Sequence, residues 1–148
     1  AYDSQTQNPN FADGKTHQLS PEGTIARGHM PLHYEATDAD AKRAGIELMN
    51  PFPVSEAKHV QRGGQVYAKY CLMCHGSNGD GDGNVVNHGF PKPPSLYGQN
   101  AMTMKDGQMF HLITYGQRNM PGHASQITKE DRWKVVTFIR SLQSANKE

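Results

Sequence analysis

The chain has 148 residues, room for one ordinary domain but not for two large ones. Its 15 Lys and Arg against 14 Asp and Glu leave a net charge of +1, too balanced for a nucleic-acid binder or a strongly basic membrane-surface protein. Mean hydropathy is −0.76, no run approaches the roughly 18 apolar residues of a membrane span, and 35% hydrophobic residues beside 15 Gly and 9 Pro predict a thin core that needs something further to bury.

Residues 1–54 carry no sustained apolar period and are broken by Pro9, Pro21, Pro31, Pro51 and Pro53, so they read as an irregular N-terminal extension. Within them, residues 37–49 are the most helix-like, with Asp38 and Asp40 near the start and Gly45 weakening the case. The ordered domain is expected over 55–148. Ser55 is placed to cap a helix running through "EAKHVQRGGQVYAKYCLMCH", with Val66, Tyr67 and Tyr70 on one side. Gly63 and Gly64 inside it cost about 1 kcal/mol each relative to Ala, which predicts a neighbour too close to admit a Cβ. Residues 76–98 hold six Gly and three Pro, a long loop acceptable in a compact domain if it wraps a large rigid ligand.

A second helix is expected over 104–115, with Thr103 and Asp106 as a capping box, Met109, Leu112 and Ile113 on its apolar side, and Gly116 as its stop. The third has Thr128 and Asp131 as a capping box, then Trp133, Val136, Ile139 and Leu142 at helical spacing beside Val135 and Phe138. No segment alternates well enough to predict a strand. The expected class is all-α with long loops.

Both cysteines lie in Cys71-Leu72-Met73-Cys74-His75, the attachment signal for c-type haem. On a helical turn residues 71 and 74 share a face, so two sulfurs can bond one edge of the macrocycle while His75 reaches the iron. Structural zinc would need further ligands from His88, His111 or His123, and a thioredoxin-like pair would need a βαβ context that is not visible. A buried macrocycle would also make up for the thin core.

For the distal position the candidates are Met102, Met104, Met109, Met120, His88, His111 and His123. Met109 and His111 fall in an expected helix and read as packing residues, as do Met102 and Met104 at its start. Met120 instead stands in the loop "GQRNMPGH", stiffened by Pro121, and is the expected ligand, with His123 or an open position as alternatives. The second ring nitrogen of His75 needs an acceptor, for which the carbonyl of Pro94 in "PKPPSL" is expected. The run from Asn78 to Gly83 imitates a calcium loop, but its twelfth position is Gly89 rather than Glu, so a plain turn is expected.

At these residues the chain resembles the class I cytochrome c fold over about 60–144. Gly63 and Tyr67 stand where that family has its helix-contact Gly and aromatic, Phe138 and Ile139 where its C-terminal helix crosses them, Pro94 and Leu96 match its Pro-x-Leu, and Met120 its distal ligand. The stretches "FADGKTHQLSPEGTIARG", "NPFPVSEAKHVQRGGQVYAKYCLMCHG", "NMPGHASQI" and "DRWKVVTFIRSLQ" further resemble the monohaem cytochrome c subunit of alternative complex III, a bacterial membrane quinol:electron-acceptor oxidoreductase. Such subunits often begin at a lipidated Cys, and this sequence has none there.

That resemblance implies one covalent haem c held by Cys71 and Cys74, ligated by His75 and Met120, with Pro94 and Leu96 lining the site. It implies a one-electron carrier rather than an enzyme, held peripherally at the periplasmic face of the inner membrane. Electrons would arrive from a neighbouring multihaem subunit and leave to a terminal oxidase or soluble acceptor, with residues 1–54 as a tether. A free periplasmic cytochrome shuttle is the nearest alternative, and a haem peroxidase or gas sensor the alternative of another class.

Overall fold

Two glycines decide how the helices cross. The computed structural model describes residues 8–12, 14–15, 21–25 and 32–145, and the chain divides into units Ala1–Leu32 and His33–Glu148. Much of the 11–28 stretch used in the resemblance lies outside the described residues. In the first unit, Gly14 at φ +66° closes a small turn, its N–H donating to the Phe11 carbonyl at 2.9 Å and its carbonyl accepting from Asn8 N–H at 2.9 Å.

The second unit is mostly helical, consistent with the class I cytochrome c-like fold. Its elements are α1 (Asp38–Glu47), α2 (Ala57–Tyr70), α3 (Leu72–His75), a 3-10 turn (Asn84–His88), α4 (Gln99–Thr103), α5 (Asp106–Tyr115), β1 (Gly116–Gln117), β2 (Met120–Pro121) and α6 (Lys129–Ala145). The two strands were not expected. They are a minimal antiparallel hairpin, Gly116 opposite Pro121 and Gln117 opposite Met120, too short to leave an alternating pattern.

Helices α2 and α6 pack together at Gly63, where a Cβ would overlap the Lys134 carbonyl and lie 2.9 Å from Phe138 Cβ. The close neighbour anticipated for this glycine is therefore the α6 backbone. Tyr67 lies against Phe138 with ring centroids 5.2 Å apart, and Arg62 forks onto Asp131 at 2.9 and 2.6 Å across the same pair. That hydrogen-bonded guanidinium holds the Asp131 carboxyl below the usual carboxylate range. Of the three side chains placed on the α2 inner face, Val66 and Tyr67 are buried but Tyr70 is exposed.

The caps differ from expectation at two helices. Glu56, not Ser55, precedes α2 and makes no side-chain cap bond. Lys105 precedes α5 without a side-chain cap, while the Thr103 hydroxyl bonds back to the Gln99 carbonyl at 2.8 Å and closes α4. Ser and Thr hydroxyls serve either end of a turn, and a composition pattern does not say which. The α6 cap is as expected, Asp131 N–H donating to Thr128 Oγ1 at 3.2 Å, and Gly116 at φ +83° ends α5.

Helix α1 is present despite Gly45. Thr37 caps it, its Oγ1 accepting from Asp40 N–H at 3.1 Å. Gly107 of α5 has no room for a Cβ against the Ala44 carbonyl, and a Cβ on Gly45 would lie 3.2 Å from Gln108 Cβ. The residue that lowers helix propensity thus lets α1 and α5 approach. Asn50 Nδ2 then donates to Thr137 Oγ1 at 3.0 Å, and Thr137 Oγ1 donates to the Phe52 carbonyl at 2.8 Å, fastening the following segment to α6. The core between α5 and α6 holds the stacked rings of Phe110 and Trp133, centroids 4.1 Å apart, with Val135 and Val136 wholly buried.

Candidate haem site

The Cys-x-x-Cys-His segment sits at the end of α2, where the helix pauses at Cys71 and resumes as α3. His75 N–H donates to the Cys71 carbonyl at 2.9 Å, so the imidazole leaves one helical turn beyond the first sulfur, as the motif requires. Both thiols are free, Cys71 buried and Cys74 half-buried. As a free thiol Cys71 is pushed up to about 12 by burial, with Cys74 adding to the shift.

The glycine-rich loop is tied back onto this turn. Gly81 N–H donates to the His75 carbonyl at 2.9 Å and Gly83 N–H to the Cys74 carbonyl at 3.1 Å. Leu96 N–H donates to the Gly79 carbonyl at 2.8 Å, bringing the "PKPPSL" segment against the loop. Gly79 and Gly81 adopt φ +88° and +76°, and side chains there would strike Leu96 and the Pro93 carbonyl. The calcium-like run is therefore a turn that shapes the site. Tyr67, buried on α2, donates its hydroxyl to the Gly76 carbonyl at 2.8 Å, a bond that the sequence reading of Tyr67 as a packing aromatic missed. A buried tyrosine hydroxyl has to find a partner, which was the available signal.

The expected bond from His75 to Pro94 is not formed. His75 Nδ1 is buried and has no hydrogen-bond partner, while Pro94 is exposed. The prolyl carbonyl that lies on the loop is that of Pro93, pressed against Gly81. Leu96 is half-buried against Gly79.

Met120 is half-buried on β2, carried on a hairpin that α5 projects beyond its glycine stop. The return from that hairpin passes near the haem motif: the His123 ring is 6.4 Å from that of Tyr70, and burial followed by the charge of His123 lowers the pKa of His75. His123 Nδ1 donates to the Pro121 carbonyl at 2.9 Å. Met109 and His111 lie buried in α5.

The donor set fits a c-type haem. Two unpaired thiols one turn apart, followed by an imidazole whose buried Nδ1 is unbonded, leave Nε2 as the nitrogen for iron and Nδ1 as the donor still seeking an acceptor.

Residues 58–139, more than half of the chain, match the family described as cytochrome c oxidase, cbb3-type, subunit III. The chain belongs to this family. It is 30% identical over 86 residues to a thiosulfate dehydrogenase of Stutzerimonas stutzeri (strain A1501), covering 55% of this chain and 27% of that protein. A chain of the Kuenenia stuttgartiensis reducing HAO-like protein complex superposes with a TM-score of 0.52 at 24% identity, over 64% of this chain and 47% of that one, a likeness of fold. The chain thus spans only about a quarter of the one relative and about half of the other. A cytochrome c domain implies haem c and electron transfer. Among the described residues no helix is long and apolar enough to cross a membrane.

Proposed function

We propose that this cytochrome c domain is a one-electron carrier, not itself an enzyme, in a membrane quinol-oxidising complex of the alternative complex III type. Cys71 and Cys74 would hold the porphyrin through thioethers, His75 and Met120 would bind its iron, and Leu96 would line the site. The bound group supplies a reversible Fe(III)/Fe(II) couple. The observation that carries this reading is the pairing of two unpaired cysteines with a buried, unbonded His75 Nδ1 at one-turn spacing.

The protein's part is to hold and tune. The 76–83 turn and the Leu96 segment fix the His75 backbone, and the tight α2–α6 crossing keeps the thiols in register with them. A thioether together with an imidazole on the iron would favour Fe(II) and raise the potential, which suits an acceptor downstream of quinol. Near-zero net charge gives little long-range steering, which favours a carrier held in place over a freely diffusing shuttle. The extension 1–54 acts as the tether, with α1 and Asn50 as its foothold on α5 and α6, at the periplasmic face of the inner membrane.

The relative named as a thiosulfate dehydrogenase supports a second reading, an electron-accepting domain for a sulfur-oxidising enzyme. Affinity capture from detergent-solubilised native membranes separates the two. The expected result is co-purification with a multihaem cytochrome and reduction of both by added quinol. Elution of the chain alone, or reduction by thiosulfate but not quinol, would contradict the complex III assignment.

A further inference from the structure

Gln117 is the cross-strand partner of Met120, and its side chain reaches off the hairpin to helix α1, where Nε2 donates to Asp38 Oδ1 at 3.1 Å. A second fastening lies one helical turn back along α5. His111, 3% exposed, donates from Nε2 to the Glu35 carbonyl at 2.8 Å, and Glu35 N–H in turn donates to Asp40 Oδ2 at 2.6 Å. Thr37, Asp38, His111, Gln117 and Arg118 together border an open cleft of about 300 Å³, and the Gln117 side chain bridges it from the hairpin to α1.

The hairpin is also strained. Arg118 adopts φ +53° in a two-residue loop, at the position that glycine favours. Such a conformation is unfavourable for a residue with a Cβ and persists only where the surroundings over-determine it. On one side Gly116 and Gly122 press the hairpin against the end of α5; on the other, Gln117 is its tie to α1.

The geometry points to Gln117 and Asp38 as positioning residues for Met120: the start of α1 clamps the hairpin from outside and so governs how firmly the thioether stays on the iron. This rests on the assignment of Met120 as the distal ligand. Asp38, the outer half of the clamp, belongs to the segment before α2, outside the stretch that matches the family, while Gln117 lies within that stretch. It makes the N-terminal extension a lever on the ligand as well as a tether, because any partner that moves α1 also loads the strand opposite Met120.

The test is an imidazole titration of the ferric holoprotein, read by loss of the red sulfur-to-iron charge-transfer band, with thermal unfolding recorded in parallel. Gln117→Ala should raise imidazole affinity roughly two- to tenfold, the scale of one lost hydrogen bond to a charged or neutral acceptor, with little change in the thermal midpoint. Gln117→Glu, which sets two carboxylates together, should do the same or more, and adding Asp38→Asn should return the affinity to within about twofold of the parent, since an amide at 38 can donate in the reverse direction. Parental imidazole affinity in Gln117→Ala, or failure of the Asp38→Asn rescue, overturns the clamp while leaving Met120 as ligand. Absence of the red band from the parent protein overturns the ligand assignment, and the clamp with it.

Discussion

Gly63→Ala should lower the unfolding midpoint far more than Gly64→Ala, although the two glycines are neighbours on one helix. At Gly63 the new methyl meets the Lys134 carbonyl and Phe138 Cβ, atoms belonging to or fixed by the α6 backbone, so the helices have to separate. Overpacking against backbone costs about 3 kcal/mol, the upper end of the usual range, a large part of the roughly 5–15 kcal/mol of a typical domain. At Gly64 the nearest atom is the Phe138 ring edge at 3.1 Å, a side chain that can turn aside. The gain of about 1 kcal/mol in helix propensity there offsets the contact, and the net change should be close to zero. Unfolding followed by circular dichroism should show a fall of about 6–12 °C for Gly63→Ala in a chain of this size. Equal shifts for the two variants would mean that α2 and α6 do not cross at Gly63.

Met120→Ala should abolish the red sulfur-to-iron band completely, lower the midpoint potential, and open the ferric iron to imidazole and the ferrous iron to carbon monoxide. The comparison that gives this meaning is Met109→Ala. Met109 is 6% exposed within α5, so its truncation should cost about 2–5 kcal/mol of stability and leave the band in place. Met120, half-buried on the hairpin, should show the reverse, a small loss of stability with a total spectroscopic change. A Met120→Ala protein that keeps the band would transfer the ligand role to another residue.

The haem motif was legible because its chemistry is local: one turn of helix brings Cys71, Cys74 and His75 together whatever the rest of the chain does. Helix α6 was legible for a similar reason, its cap at Thr128 and its buried Trp133, Val135, Val136 and Ile139 all following from neighbours in sequence. Features that depend on distant contacts were not. Gly45 argued against α1 until Gln108 of α5, 3.2 Å from where a Cβ would stand, supplied the reason for it. Thr103 carried the composition of an N-cap and closes the preceding turn instead. The hairpin offers two residues per strand, below what alternation can register, and the bond from Gln117 to Asp38 joins positions 79 apart with no pattern between them. At the site itself, the prolines picked out the segment that folds onto the 76–83 turn, but the acceptor for His75 depends on backbone geometry that a Pro-Pro pair does not determine.

One porphyrin, bonded to Cys71 and Cys74, underlies every other property assigned to this polypeptide. That attachment is tested most directly by the intact mass of the denatured protein isolated from cells with a haem-attachment system, together with a count of its reactive thiols. The expected result is a chain heavier by one haem, coloured after acid extraction and without a titratable thiol. A colourless chain of unmodified mass with both sulfurs free would contradict it.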